Sequence, residues 1–228
     1  MTDLIQEVKK LNEWNDQGRF EEVLIETNTD LDQVTDENTE EEVASIHIVR
    51  GNALYGLGRF EEAVQAYAKA IELDTFDVQA RCNYGSALYT LGRYVDALNA
   101  CDAAILTDDT FAPAYINAAH CLAALKHEEE AVYALKQAFT LDPKNYDLGR
   151  AVADMAADLE NFEVAFEVYL KIATLPDAAK DIHETIAAFL KKSRETLKRT
   201  DWQKAVDTWR RQYITNPEVL RLSADLMR

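Results

Sequence analysis

The sequence has little that would interrupt a helix. Only 7 of its 228 residues are glycine and 4 are proline, the two residue types that most disfavour a helix interior. It also lacks a run of about 18 apolar residues, the length that spans a membrane, so we expect no membrane insertion. The N-terminal segment lacks the basic-then-apolar order of a secretory signal. These absences favour an all-helical protein, and we expect a cytoplasmic location.

Positive charge is also scarce, and it is unevenly distributed. The chain has 24 Lys and Arg against 41 Asp and Glu, a formal net charge of −17. Residues 1–179 contain 34 acidic and 13 basic side chains, whereas residues 180–228 contain 7 and 11. Such an acidic majority argues against nucleic acid as a partner and favours a neutral or basic protein or peptide.

No motif in the sequence indicates catalysis or metal binding. The three cysteines, Cys82, Cys101 and Cys121, are 19 and 20 residues apart, too far for the close pairs of zinc ribbons and disulfide scaffolds, and we expect reduced, packed thiols. There is no Walker-type loop, HExxH or GxSxG. We therefore expect no catalytic residues, no metal site, no cofactor and no enzymatic activity.

The sequence does contain a repeated pair of amphipathic segments. The clearest copy is residues 51–74, in which the corner Gly58-Arg59 separates the two segments. A single helical hairpin cannot bury its own apolar faces, so the copies must stack on one another. The predicted repeats are residues 4–43, which is degenerate, 44–77, 78–111, 112–145, 146–179 and 180–217, followed by a capping helix at 217–228. In the sixth repeat the first helix is predicted to be extended, from about residue 181 to about residue 198.

Small and large residues occupy fixed columns when the repeats are aligned. The eighth column contains Leu11, Gly51, Gly85, Ala119, Ala153 and Ala187. The twenty-fourth contains Thr27, Tyr67, Cys101, Leu135, Tyr169 and, after six extra residues, Trp209. This alternation is typical of interlocking helices.

The pattern resembles the tetratricopeptide repeat (TPR), a helical hairpin of 34 residues. The resemblance implies an all-α, right-handed superhelix of about six TPR-type hairpins with a C-terminal capping helix, and we interpret residues 1–228 as one such solenoid domain. The family's early aromatic residue is kept as Tyr115, but His47, Arg81, Gly149 and His183 replace it elsewhere.

The resemblance also implies a concave groove, lined by the first helices of successive repeats, that holds a peptide or a partner helix. The matching residues are Ile48, Asn52, Tyr55, Cys82, Asn83, Ser86, Tyr89, Ile116, Asn117, His120 and Arg150. Each Asn carboxamide can both donate to and accept from a peptide backbone, and Tyr adds apolar contact. Alternatively, the asparagines order neighbouring helices. Because Ile48, Pro113 and Asn117 stand where some family members have cations, we expect no clamp for a C-terminal carboxylate.

A basic stretch lies on the predicted extended helix: Lys191, Lys192, Arg194, Lys198 and Arg199. It is either a solvated face or an electrostatic contact with an acidic partner or with another copy of the chain. We interpret the protein as a non-enzymatic adaptor or chaperone that binds a segment of a partner protein. The alternatives are a self-assembling structural scaffold, which would make the protein a homo-oligomer, and a secretion-type chaperone for one client.

Overall fold

The computed structural model describes residues 4–32, 39–175, 178 and 181–228. Within these residues the chain forms thirteen α-helices and no strand, which confirms the all-α prediction. The predicted boundary between the fifth and sixth repeats, at residues 179 and 180, lies outside the described residues. The helices are α1 (Leu4–Asp16), α2 (Phe20–Asp32), α3 (Glu40–Gly56), α4 (Phe60–Leu73), α5 (Val78–Thr90), α6 (Tyr94–Thr107), α7 (Ala112–Ala124), α8 (Glu128–Leu141), α9 (Tyr146–Asp158), α10 (Phe162–Ile172), α11 (Ile182–Ser193), α12 (Arg199–Gln212) and α13 (Pro217–Met227).

The helices divide between two compact units. The N-terminal unit comprises residues 1–127 with α1 to α7, and the C-terminal unit comprises residues 128–228 with α8 to α13. The interpretation of the whole chain as a single solenoid domain stays a prediction.

In the N-terminal unit each helix packs against the next one along the chain, from α1 to α7. A second set of contacts joins α1 to α3, α3 to α5 and α5 to α7. The first helices of successive hairpins therefore lie side by side, as stacked repeats require.

Three hairpin corners in this unit contain a glycine in a left-handed conformation. Gly18, Gly58 and Gly92 have φ angles of +73°, +74° and +74°, which other residues adopt only at a cost. After α3, the Arg59 N–H donates to the Leu54 carbonyl at 2.8 Å. This bond satisfies a carbonyl at the end of the helix, and the chain then reverses into α4.

Gly51 allows the two helices of a hairpin to approach closely. A Cβ atom at this position would lie 2.5 Å from Cε1 of Tyr67, well inside van der Waals contact. Tyr67 is only 2% exposed, and its hydroxyl donates a hydrogen bond to Asn52, so the ring is held in place. The small residue on α3 and the large one on α4 therefore pack as a matched pair.

We expect Gly51→Ala to lower the free energy of unfolding by about 1–3 kcal/mol, because the added methyl group overpacks the Tyr67 ring. In a Tyr67→Leu background, which removes the ring, the same substitution should cost much less. Urea unfolding of the four proteins measures this coupling. Equal costs of Gly51→Ala in the two backgrounds would contradict the packing account.

A group of charged residues joins α1 to α2. Lys10 Nζ lies 2.5 Å from a Glu7 carboxylate oxygen and 3.1 Å from one of Glu26. Nearby, Asp30 Oδ2 is buried without a hydrogen-bond partner among the described residues. Burial, and then the charges of Glu7 and Glu26, raise the pKa of Asp30 to about 6, while Lys10 opposes this rise.

The pKa of Asp30 is higher in the folded chain than in the unfolded chain, so ionisation of this group destabilises the fold. The destabilisation is complete above about pH 6 and disappears as the pH falls below the ordinary Asp pKa near 4. We therefore expect Asp30→Asn to raise the melting temperature at about pH 7.5, with a smaller gain at about pH 4.5. Thermal unfolding at both pH values measures the difference. Glu13→Gln, on the exposed side of α1, is the control, and a gain independent of pH would argue against ionisation of Asp30 as the cause.

In the C-terminal unit α8 packs on α9, α9 on α10 and α10 on α11. Both α11 and α12 contact α13, so the last helix packs on the final hairpin. It occupies the segment that was predicted to form a capping helix. The side-chain oxygen of Asn216 accepts hydrogen bonds from the N–H groups of Glu218 and Val219 and so begins this helix.

The prediction of an extended first helix in the sixth repeat is wrong. Instead of continuing to about residue 198, α11 ends at Ser193 after 12 residues. The Trp202 indole N–H donates to the Leu190 carbonyl at 2.6 Å. In a continuing helix that carbonyl would accept from the N–H of Arg194, so a side chain from α12 helps to end α11.

Candidate functional site

The first helices of the N-terminal unit carry most of the predicted groove residues. Because α3 contacts α5 and α5 contacts α7, these helices form one surface, which we call the first-helix face. The structure places ten predicted residues on these three helices: Ile48, Asn52 and Tyr55 on α3, Cys82, Asn83, Ser86 and Tyr89 on α5, and Ile116, Asn117 and His120 on α7.

Asn52 is the centre of a hydrogen-bond chain between α3, α4 and α5. Its Oδ1 accepts from the Tyr67 hydroxyl at 2.8 Å and from Asn83 Nδ2 at 3.1 Å. Asn83 Oδ1 in turn accepts from Gln79 Nε2 at 2.8 Å. Burial raises the pKa of Tyr67, so the tyrosine remains a neutral donor.

Asn117 makes the corresponding link from α7 back to α5. Its Nδ2 donates to Ser86 Oγ at 2.7 Å and to Cys82 Sγ at 3.1 Å. Cys82 is only 3% exposed, and burial raises the pKa of its thiol to about 11. Cys82 therefore lies beneath the surface as a neutral thiol, where it contacts Asn117.

These hydrogen bonds support the alternative that the asparagines order neighbouring helices. Asn83 and Asn117 each link two adjacent first helices. In the described hydrogen bonds, however, Asn52 Nδ2 and Asn117 Oδ1 are unused, and both side chains are half-buried. The carboxamides can therefore fix the helices and still offer one donor and one acceptor at the surface.

Tyr55 and Tyr89 are the exposed large hydrophobic residues among the described residues of the first-helix face. They occupy equivalent positions on α3 and α5, and each is 37% exposed. The Tyr55 hydroxyl lies 3.1 Å from Thr90 Oγ1. The ring centroid of Tyr89 lies 5.3 Å from that of Tyr94 and 6.1 Å from that of His120. The two rings are held by their neighbours and keep one side open to solvent.

Arg150, the remaining predicted groove residue, lies on α9 in the C-terminal unit. Its Nε donates to the carboxylate of Asp154 at 2.9 Å. The Tyr169 hydroxyl donates to the same carboxylate at 2.5 Å. Tyr169 and Asp154 thus repeat the hydrogen bond between Tyr67 and Asn52. Burial, and then the hydrogen bond to Asp154, raise the pKa of Tyr169.

The sequence pattern did not lead us to predict the hydrogen bond that joins the twenty-fourth column to the ninth. Tyr67 and Tyr169 fall in one column, and Asn52 and Asp154 fall in another. A tyrosine thus accompanies an amide or carboxylate oxygen in both the second and the fifth repeats. That correlation is a signal that could have indicated the hydrogen bond.

The predicted basic residues do not lie on one helix. Lys191 and Lys192 are in the last turn of α11, whereas Lys198 and Arg199 are at the start of α12. Arg194 lies between these helices with its guanidinium 5.1 Å from the centroid of the Trp202 ring. All five basic residues are exposed, so each remains available for an electrostatic contact.

The described part of the chain has neither a cluster of metal ligands nor a membrane-spanning helix. Its residues include no group of three His, Cys, Asp or Glu side chains placed to hold a metal ion. None of its helices combines the length and apolar character that spanning a bilayer requires.

Comparisons with known proteins identify the repeats. The tetratricopeptide-repeat family is matched by residues 48–115 and again by residues 112–145. No curated protein is significantly similar to the chain in sequence.

Several solved structures are similar in fold. MamA (residues 41 to the end) from Desulfovibrio magneticus RS-1 has a TM-score of 0.62 at 21% identity, covering 79% of this chain and 99% of that one. YrrB, described as a TPR protein with an unusual peptide-binding site, has a TM-score of 0.57 at 17% identity, covering 82% and 93%. The first TPR of Spaghetti (RPAP3), bound to an HSP90 peptide, has a TM-score of 0.51 at 22% identity, covering 54% and 98%.

The stacked hairpins and these structural similarities define a helical-repeat protein of the solenoid class. Such proteins act as protein–protein interaction modules through the surfaces that their repeats form. The repeats within residues 48–145 match the TPR family and are tetratricopeptide repeats.

We expect Asn52→Ala to lower the free energy of unfolding by about 1–3 kcal/mol, because the buried Tyr67 hydroxyl loses its acceptor. In a Tyr67→Phe background, which lacks that hydroxyl, the same change should cost less. Asn12→Ala, at an exposed position on α1, controls for loss of a surface carboxamide. Urea unfolding measures all of these variants. Wild-type stability of Asn52→Ala would show that the hydrogen-bond chain does not order these helices.

Proposed function

We propose that the protein is a non-enzymatic adaptor or chaperone whose first-helix face binds an extended or helical segment of a partner protein. The observation that carries this proposal is the pair Tyr55 and Tyr89, partly exposed at equivalent positions of adjacent helices. Tyrosine rings on rigid helices supply contact area at a low cost in conformational entropy. Asn52 and Asn117 add a donor and an acceptor for the segment's backbone.

The charge of the N-terminal unit favours a neutral or basic segment. Residues 1–127 contain 23 acidic and 9 basic side chains. A basic segment would be attracted by this field, whereas an acidic one would be repelled. In addition, Ile48, Pro113 and Asn117 leave the first-helix face without the cations that a C-terminal carboxylate would need. The partner that we propose is therefore an internal segment of a protein.

Two solved relatives support peptide binding by analogy. The RPAP3 domain was solved with an HSP90 peptide, and YrrB is described as having a peptide-binding site. Both likenesses concern the fold, so the segment that binds to this chain has to be identified directly. The cytoplasmic location stays a prediction.

Affinity capture from a lysate of the source organism tests the proposal. We expect wild-type protein to retain a specific partner, and Tyr55→Ala/Tyr89→Ala to lose most of it because the apolar contact is removed. Tyr133→Ala, which removes a 66% exposed tyrosine from α8, is the matched control and should retain the partner. The captured protein is then identified, and its fragments are titrated against the purified chain.

Thermal unfolding of the same variants separates loss of binding from loss of folding. Tyr55 and Tyr89 are partly exposed, so the double variant should remain folded. Equal capture by wild type, the Tyr55→Ala/Tyr89→Ala variant and the control would contradict the assignment of this face. A catalytic activity that followed the pure protein through successive columns would contradict the non-enzymatic role.

A further inference from the structure

A second groove lies in the C-terminal unit, between α11 and α13. Its volume is about 390 Å³, and it takes no part in the first-helix face. Its apolar lining includes Leu222, which is half-buried, and Ala187 and Leu226, which are buried. A groove with such a lining can accept aliphatic side chains.

Three cations surround this apolar lining: Lys191, Arg194 and Arg221. The guanidinium of Arg194 is positioned by the Trp202 ring and by a hydrogen bond to the Leu226 carbonyl at 3.4 Å. Lys191 is exposed and has no ion pair among the described residues. Arg194 is thus held at the groove by the fold, and Lys191 is available to an anion.

The acidic residues of the groove do not cancel this charge. Asp225 already lies 3.9 Å from Arg221 and 3.4 Å from Arg228, so two cations share one carboxylate. Glu184 is the other acidic residue in the lining. The lining thus contains three basic and two acidic side chains. The described residues 181–228 as a whole contain 10 basic and 7 acidic side chains, although the whole chain carries −17.

We propose that this groove is a second docking site, which binds an acidic segment of a partner protein that also carries aliphatic side chains. Leucine-type side chains would occupy the apolar lining, and carboxylates would pair with the surrounding cations, for which the two guanidinium groups offer bidentate geometry. The net negative charge of the whole protein disfavours nucleic acid and anionic membranes, whose charge extends over long distances. A short acidic segment instead senses mainly the charge close to the groove, because salt screens the rest.

A synthetic peptide of glutamate and leucine residues tests this site. The peptide is about 15 residues long with leucines at i, i+3 and i+4 spacing, and it is acetylated and amidated so that neither terminus is charged. Fluorescence anisotropy with the full chain measures its affinity. We expect Lys191→Glu/Arg221→Glu to weaken binding by about tenfold or more, because two attractive contacts become repulsive.

A charge-matched control is available on α12. Lys204→Glu/Arg210→Glu changes the net charge by the same amount at two exposed positions outside the lining of the groove. We expect this variant to bind the peptide within about threefold of wild type, and Tyr55→Ala/Tyr89→Ala to bind it as wild type does. Binding should also weaken as NaCl rises from about 50 to about 300 mM.

Several outcomes would overturn the proposal. An equal loss of peptide affinity in the two charge variants would show that net charge alone causes the effect. Equal affinity for a peptide with Gln in place of Glu would show that the charge of the peptide plays no role. A loss of peptide affinity in Tyr55→Ala/Tyr89→Ala would place the peptide on the first-helix face. Tighter binding of duplex DNA or anionic vesicles, abolished by Lys191→Glu/Arg221→Glu, would assign the groove to another class of partner. Salt-sensitive dimerisation abolished by that variant would assign it to a second copy of the chain.

Discussion

The close approach of helices in these repeats is the constraint on which the rest of the structure depends. At Gly51 the missing side chain leaves room for the buried ring of Tyr67. At Gly149, where the family has an aromatic residue, an added Cβ would clash with Cγ2 of Ile172 and lie 2.7 Å from Cε2 of Phe139. The Ile172 side chain from α10 and the Phe139 ring from α8 thus fill the space beside this glycine. The repeat therefore specifies matched pairs of residues, and a change in one member is tolerated where the other compensates for it.

The same matched pair connects the packed interior to the candidate site. The Tyr67 ring fills the space beside Gly51, and its hydroxyl holds Asn52, which in turn accepts from Asn83. The orientation of these carboxamides is therefore set by the core before any ligand arrives. A surface that is ordered in advance loses less conformational entropy on binding, and more of the contact free energy remains as affinity.

The periodicity of the sequence is sufficient to predict the helical fold, because the columns record packing that recurs in every repeat. It does not predict bonds that join different columns. Asn83 and Asn117, in the sixth column, donate to Asn52 and Ser86, in the ninth column of the preceding repeat, and an alignment by column separates such partners. The end of α11 was mispredicted for a related reason, because it depends on the Trp202 side chain in the following helix. Local patterns thus indicate which residues lie on the first helices, whereas the contacts of their side chains require the three-dimensional structure.

The two proposed docking surfaces differ in charge, and this difference bears on specificity. A basic segment is attracted to the acidic N-terminal unit and repelled by Lys191 and Arg221, whereas an acidic segment meets the opposite pattern. Contacts with the wrong charge are unfavourable, so under the two proposals each surface rejects the segment that the other accepts. On the first-helix face we propose that affinity comes from the uncharged Tyr55 and Tyr89, and that charge there serves mainly for selection. If both proposals hold, the chain binds two segments of different charge without exchanging them.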